Sequence, residues 1–409
     1  MKVIYKSYKF RLYPNKEQEI LINKHFGCTR FIYNWALNLK NETYQKEKKN
    51  LGRFTIQAEI PKMKKTEDYE WLKEVNSLSL QASLHHLDVA YTNFFRNKKG
   101  FPKFKSKHNN HKSFEIPANT IVDVKNKKIS IPKFKEGIKA RLHRTIPKKA
   151  VIKTSTVSTT PSGQYFISIL VEEPIKEKKY KNPTIKNSVG IDLGIKEFAT
   201  LSNGEKIENP KYLKKNIKKL KKEQRKLSRK TKGSNNRNKQ RIKVAKLYNK
   251  ITNMRNDFLH KLTIKLVSEN QAICLEDLNV KGMIKNHNLA QAIQDVSWSK
   301  FKTLLEYKAE WHSVSILRIG RFEPSSKMCS CGVINKDLKL SDRIWTCKEC
   351  GTTHCRDILA SQNIQKFAIQ AYKNKIGQGL SKLTPVESKS LDPRKTSKEE
   401  SRKKPTHQA

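Results

Sequence analysis

The sequence predicts an α/β protein in two parts: a small β-barrel interrupted by a helical insert, then a strand-and-helix domain carrying a cysteine-rich hairpin. Three observations predict it. The chain opens on an alternating strand, it returns to short strands after the helical stretch 16–97, and it then sets two apolar strands, each holding an acid, on either side of a long basic stretch. At 409 residues it is long enough for two or three domains, each with its own core.

In "YKFRLYP", Tyr8, Phe10 and Leu12 alternate with Lys9 and Arg11, the period of a half-buried strand, and Pro14 ends it. The helical insert follows. "EQEILINKHFGCTRFIYNWALNL" is expected to break once, at Gly27, and "SLSLQASLHHLDVAYTNFF" sets Leu80, Leu84, Leu87, Tyr91 and Phe94 on one stripe. "KKGFPKFKSK" is a basic exit punctuated by Gly and Pro. The strands "KISIPKF", "KTSTVSTT" and "QYFISILVEE" then complete the barrel with the first strand.

Past a polar linker, "EKKYKNPTIKN", the stretch "SVGIDLGIKEFATLSNGEKI" reads as three strands with Asn203-Gly204 as a hairpin turn. Residues 211–250 hold 18 Lys/Arg and one Glu, so they must face solvent or phosphate. Val244, Leu247, Ile251, Met254, Phe258 and Leu262 step by three and four along a long helix with one buried seam. "AICLEDL" is a buried strand, the cysteine segment follows, and "RDILASQNIQKFAIQAY" is a last amphipathic helix. The Lys/Ser/Pro-rich stretch 377–409 reads as a disordered basic tail.

The 86 Lys+Arg against 37 Asp+Glu give a formal charge of +49. Self-repulsion on that scale calls for a polyanion, and nucleic acid is the expected partner, with an acidic membrane surface as the rival. There is no uninterrupted apolar run of about 18 residues, and "MKVIYKSYKFRLYP" lacks a signal-peptide pattern. A cytoplasmic protein with no membrane partner, held at the nucleoid by DNA, is expected. Seven cysteines, four at close spacing and two (Cys28, Cys274) isolated in apolar surroundings, argue against a secreted disulfide framework and for one metal site.

Three carboxylates carry candidate chemistry. Asp192 lies inside the apolar strand "VGIDLG", where an unpaired charge is costly and a cation is needed, and Gly190 and Gly194 permit close approach. Glu276 ends "AICLEDL", and Asp357 opens the last helix, where the helix dipole favours negative charge. Converging, they would hold Mg²⁺ or Mn²⁺, and a pair of such ions clamps attacking and leaving oxygens in phosphodiester hydrolysis. Each acid also has a plainer role open to it: Asp192 capping a turn, Glu276 facing solvent while Asp277 faces in, Asp357 serving the helix start alone.

In "CSCGVINKDLKLSDRIWTCKECGTTHCRD", Cys347-Lys-Glu-Cys350-Gly is half of a zinc knuckle. The other half, Cys329-Ser-Cys331-Gly, has a one-residue spacer that constrains its geometry, so His354 or Cys355 is a substitute ligand for one structural Zn²⁺. The hairpin between the halves offers Trp345 as cover and ends beside Asp357. The clamp therefore braces that acid and is not itself catalytic.

With these parts in order, the chain resembles the TnpB, or OrfB-type, family of transposon-encoded RNA-guided nucleases related to type V CRISPR effectors. The resemblance runs from about residue 5 to 376 through "YKFRLYPNKEQE", "FGCTRFIYNWAL", "GFPKFKSK", "VGIDLGIKEFATLSNG", "NMRNDFLHKLT", "LEDLNVKGM", "SWSKF", "SSKMCSCG" and "CKECGTTHCRD". It implies a ribonuclease H-like (RuvC) domain over 183–320 and 352–376 with Asp192, Glu276 and Asp357 as its acids, and a zinc ribbon over 321–351. It implies a wedge barrel over 1–15 and 108–182 and a helical recognition insert over 16–107. It implies as partners a guide RNA from the transposon end, with one protein chain per RNA, and double-stranded DNA cut beside a short transposon-adjacent motif. Three positions depart from the family's pattern: the single Ser330 between the first cysteines, Cys355 where an acid usually stands, and Leu359 where an asparagine usually stands.

On this reading Lys214, Lys218, Lys222, Arg225 and Arg229 track phosphate. Ser77 and Gln81 are candidates for the flanking motif, with exposed helix positions as the plainer role, and Phe101 and Phe104 are open to base stacking or core packing. The function expected first is a divalent-metal-dependent, RNA-guided DNA endonuclease. The alternatives are a nuclease-impaired RNA-guided DNA-binding protein or repressor, favoured by Cys355 and Leu359, and a general RNA-binding zinc-ribbon protein.

Overall fold

The computed structural model describes residues 2–109, 111–175, 182–339 and 341–377, which fall into two compact units dividing near residue 176. The expected linker lies partly, and the stretch beyond Gly377 wholly, outside the described residues.

The first unit begins with β1 (Lys2–Tyr13), whose Tyr8, Phe10 and Leu12 are buried. Asn15 and Gln18 then form a capping box that starts α1 (Lys16–Glu47). This helix runs through Gly27 without the expected break. A glycine inside a helix costs only about 1 kcal/mol, and the buried Ile22, Phe26, Ile32 and Leu37 on either side outweigh it by packing. Next come α2 (Arg53–Met63) and α3 (Ser77–Asn97), whose Leu80, Leu84 and Leu87 pack on Ile32 and Leu37 of α1.

Six strands complete the unit: β2 (Lys112–Ile116), β3 (Ile121–Asp123), β4 (Lys128–Ser130), β5 (Ile138–Arg141), β6 (Val151–Thr159) and β7 (Tyr165–Ile175). With β1 they form an antiparallel sheet in the order β2-β6-β7-β1-β5-β4-β3. Phe114 and Ile116 from one end of this ladder and Ile129 from the other share one apolar cluster, so the sheet wraps a single core. No ladder joins β2 to β3 among the described residues, and the expected barrel is open there.

The second unit opens on β8 (Ser188–Leu193), β9 (Glu197–Leu201) and β10 (Lys206–Glu208), with Gly204 at positive φ in the last turn. Two helices, α4 (Tyr212–Ser228) and α5 (Asn235–Glu269), lead to β11 (Ala272–Glu276). Then α6 (Val280–Met283), α7 (His287–Val296) and α8 (Trp298–His312) lead to β12 (Ser315–Ile319). A short pair, β13 (Ile344–Thr346) and β14 (Thr353–Cys355), runs directly into α9 (Arg356–Gly377). The sheet order is β10-β9-β8-β11-β12, antiparallel across β10, β9 and β8 and parallel across β8, β11 and β12.

Alternation gives this sheet two apolar faces. Val189, Ile191, Ile273 and Leu275 pack on α5, α7 and α8, while Ala272, Cys274, Leu317 and Ile319 pack on Ile364, Ala368 and Ile369 of α9. No helix among the described residues is long and apolar enough to cross a membrane.

Candidate metal centres

The register of the second sheet brings the acids together. β8 and β11 pair in parallel with Cys274 level with Gly190 and Leu275 level with Ile191, so the next step sets Glu276 level with Asp192 on neighbouring strands. Level residues share a face of the pleat and lie about 5 Å apart across it. Cys274 and Ile319, the latter level with Glu276, pack on α9, so that face is the α9 face. Asp277 points the other way and pairs with Lys302 of α8 at 3.1 Å. The choice between Glu276 and Asp277, open from sequence, falls to Glu276.

Gly190 explains how the third acid arrives. A Cβ there would stand 2.0 Å from the carbonyl oxygen of Ser361, so the bare glycine lets the α9 backbone lie directly on β8. Further down, Gln365 Nε2 donates to the carbonyl oxygen of Ser188 at 2.8 Å and to its hydroxyl at 3.0 Å. Four helical residues rise about 6 Å and two strand residues about 6.6 Å, so Gln365, Ser361 and Asp357 fall in step over Ser188, Gly190 and Asp192. Asp357 is thereby delivered to Asp192 from above the sheet.

The electrostatics agree with this placement. Burial, then the charges of Glu276 and Asp357, push the Asp192 carboxyl up to about 7, against the opposing pull of Arg356 and Arg343. The three carboxylates gather negative charge at this end of the sheet, with Arg343 paired to Asp357 at 2.9 Å. Their oxygens are not drawn into the reach of a single ion, a condition that only the cysteine cluster meets among the described residues.

Supporting residues surround the acids, and none was singled out from sequence. Ser325 Oγ donates to Glu276 Oε1 at 2.6 Å, and Asn363 Nδ2, buried on α9, holds the carbonyl oxygens of Ser325 and Met328 at 2.8 and 2.7 Å. Arg343 Nη1 donates to Asp357 Oδ1 at 2.9 Å. Arg356 Nη1 donates to the carbonyl oxygen of Lys339 at 2.8 Å, tying the start of α9 to the cysteine segment. The sequence signals were slight: paired serines ahead of the first cysteine and arginines at the ends of the hairpin.

The cysteine segment forms a second centre. Sulfurs of Cys329, Cys331, Cys347 and Cys350 all lie within 4.8 Å of one another, so the one-residue spacer does not prevent a four-thiol site. His354 Nε2 lies 3.0 Å from Cys329 Sγ, as a hydrogen-bond partner of the thiol, and its ring packs on Trp345 at 5.1 Å. Cys355 stands apart, with its sulfur 3.8 Å from Lys206 Nζ. Leu359 is buried with Trp345, Leu338, Cys329 and Cys347.

The candidate contact residues divide by exposure. Lys214, Lys218, Lys222 and Arg225 lie exposed along α4 and Arg229 lies exposed just past its end, and the N-terminal amides at Leu213 and Lys214 are capped by Asp295 of α7 at 3.0 and 3.1 Å. On α3, Gln81 is half-buried and Ser77 is exposed, its hydroxyl 2.7 Å from Lys64 Nζ. Phe101 and Phe104 are 47% and 57% exposed, so neither is a core residue, although Phe101 packs edge-on against Tyr91 and Phe94.

Three family models match parts of the chain. A family model described as "Probable transposase" matches residues 167–287, and one described as "Cas12f1-like, TNB domain" matches residues 298–364. A third, described as "Helix-turn-helix domain", matches residues 1–49, of which 2–47 hold one strand and one continuous helix. The chain is 38% identical over 372 residues to a Streptomyces pristinaespiralis protein named "Putative RNA-guided DNA endonuclease", with 91% of each covered. It is 32% identical to the Escherichia coli K12 protein of the same description, InsQ, covering 88% of this chain and 91% of that one. It is 25% identical to TnpB-like protein L79 of Acanthamoeba polyphaga mimivirus, covering 91% of this chain and 75% of the other. In fold it is similar to the protein in a cryo-EM structure of a Cas12f1–sgRNA–target DNA complex, with a TM-score of 0.54 at 13% identity, covering 89% of this chain and 99% of that one.

Proposed function

The chain belongs to the TnpB, or OrfB-type, family, and from that premise we propose that it is an RNA-guided, divalent-metal-dependent DNA endonuclease. The observation that carries the chemistry is the stacked register of Asp192, Glu276 and Asp357 at one end of the parallel strands, with Asp192 pushed up to about 7 by burial and by the two neighbouring carboxylates. On this reading the second sheet, antiparallel then parallel, is a ribonuclease H-like RuvC core over 183–320 and 352–376. The cysteine segment 321–351 is a zinc ribbon, and the first unit is a wedge sheet (1–15, 108–182) carrying a recognition insert (16–107).

Asp192, Glu276 and Asp357 would hold Mg²⁺ or Mn²⁺, hard ions suited to carboxylate oxygens. Two such ions, when bound, supply charge for the attacking and leaving oxygens of the phosphodiester. Ser325 fixes the rotamer of Glu276 through its hydroxyl, and Asn363 fixes Ser325. Arg343 holds Asp357 over the sheet. Cys329, Cys331, Cys347 and Cys350 fit one structural Zn²⁺, which would lock the hairpin that ends at Arg356 and Asp357.

Sequence recognition would come from base pairing with a guide RNA from the transposon end, one protein chain per RNA. The exposed cations of α4 would track phosphate without reading bases. Ser77 and Gln81 remain the proposed readers of the short flanking motif. A second reading, target binding without cleavage, is favoured by Leu359, whose side chain is committed to the cysteine core and offers the acids no polar group.

The test is to co-purify the protein with RNA from its own locus, sequence that RNA, and supply a matched DNA target beside randomised sequence. Cleavage that requires Mg²⁺ and is lost in Asp192→Ala and Glu276→Ala, with target binding retained, supports the endonuclease. Tight binding with no cleavage even in Mn²⁺ supports the second reading, and absence of a discrete RNA defeats both.

A further inference from the structure

The turn that follows β12 begins and ends at the same acid. Ile319 is level with Glu276 in the parallel ladder, and six residues later Ser325 Oγ donates to Glu276 Oε1 at 2.6 Å. Between them the backbone is tied down, with Glu323 N donating to Gly320 O at 3.4 Å and Ser325 N to Glu323 O at 2.8 Å, and just beyond them Met328 N donates to Pro324 O at 3.0 Å. Three residues of chain from Ile319, itself about 5 Å from Glu276 across the ladder, keep the tip of this turn within about 15 Å of that acid.

That tip is Phe322. It is 93% exposed, the most exposed large apolar side chain among the described residues. A single exposed apolar side chain is common on a protein surface, but this ring stands on a hydrogen-bonded turn tied to Glu276, where its face is open to a base that reaches the acids. Arg321, next to it in the chain, is a cation suited to a phosphate backbone, whereas Lys327 Nζ donates to the carbonyl oxygen of Lys336 at 3.4 Å. An exposed ring beside a cation in the chain is suited to stack on an unpaired nucleobase while the cation meets its phosphate.

We propose that Phe322 is a substrate-positioning residue that stacks on a base of the DNA strand entering the three-acid centre and sets the register in which the phosphodiester is presented. The inference deepens the endonuclease reading and rests on it. Stacking is indifferent to base identity, so the residue fixes where the strand is cut without selecting which sequence is cut.

The experiment uses the full protein loaded with its own RNA and a matched duplex, in single-turnover cleavage, with substrates carrying one abasic position scanned through the nucleotides around the cut. We expect Phe322→Ala to slow cleavage of intact DNA about tenfold and to spread the cut positions, while RNA content, zinc content and melting temperature stay at wild-type values. One abasic position should slow the wild-type protein to the same extent and slow Phe322→Ala no further, and Phe322→Trp should restore both rate and register. Wild-type cleavage by Phe322→Ala, or losses that multiply when the variant meets every abasic substrate, would overturn the inference alone. A changed oligomeric state in Phe322→Ala would overturn it in favour of a protein contact. Failure of the loaded wild-type protein to cut would remove the endonuclease reading and this inference with it.

Discussion

The two candidate metal centres differ in how the chain builds them. The cysteine centre is local: two knuckles and a hairpin within 329–355 bring four sulfurs inside 4.8 Å. The carboxylate centre is topological, drawn from β8, β11 and α9, and its acids stand side by side without converging on one point. The difference teaches what each is suited for. A closed thiol set can fix a fold outright, whereas acids set side by side suit hard cations whose remaining coordination positions a substrate phosphate can fill.

The largest effect should come from breaking the closed centre. Cys347→Ser, or removal of zinc by a chelator, forfeits metal binding worth about 10 kcal/mol in small zinc modules and releases the hairpin. Hydrogen exchange should rise across 326–356 and spare the first unit. Protection unchanged after zinc loss would show that the hairpin stands without metal.

Gly190→Ala should break the other centre and leave the thiols alone. Its Cβ meets a backbone oxygen that cannot step aside, so α9 must lift from β8 at a cost of about 3–4 kcal/mol in denaturant melts. Zinc content should stay at one per chain while cleavage disappears. A variant as stable as wild type would mean that α9 does not rest on β8.

Asp192→Asn sharpens the contrast because its sign is opposite. The folded carboxyl, at about 7 against an ordinary 3.8, binds its proton over a range where the unfolded chain has released it. The metal-free protein therefore loses stability as pH rises from about 4 to 7, and the amide removes that loss. Asp192→Asn should be more stable than wild type at pH 7.5 without divalent ions, on the order of 3 kcal/mol, and the ranking should narrow or reverse with Mn²⁺. A destabilised variant would show that Asp192 is satisfied without a cation.

Ser325→Ala should have the smallest effect. Loss of one hydrogen bond to a carboxylate is worth about 1.5–3 kcal/mol when the acceptor is left without a partner, and Glu276 keeps solvent access. Melting should shift by a few degrees while the cleavage rate falls more steeply, because a loosened Glu276 disturbs geometry more than stability. Equal small losses in both would make Ser325 merely structural.

How legible each part was from sequence follows the same division. The stripe Leu80, Leu84, Leu87, the alternation Tyr8, Phe10, Leu12 and the cysteine spacings were readable because their partners lie within a turn or a hairpin. Gly27 misled because propensity is weak beside the packing of Phe26 and Ile32. Gly190 could be flagged as a close-approach position, but only the register shows that Ser361 is what approaches. Ser325, Arg343 and Asn363 were invisible: a serine 49 residues from its glutamate carries no local pattern, and nothing short of the sheet order brings them together. The same holds for the choice of Glu276 over Asp277, decided by the pairing of β11 with β12.

The central claim is that Asp192, Glu276 and Asp357 share divalent ions, and the most direct measurement is anomalous diffraction from crystals of the protein grown with Mn²⁺. The account predicts manganese peaks at about 2.1–2.2 Å from carboxylate oxygens of all three residues, with Asp357 drawn away from Arg343. Manganese bound without Asp357, the Arg343 ion pair intact and Asp192 left unliganded, would contradict it.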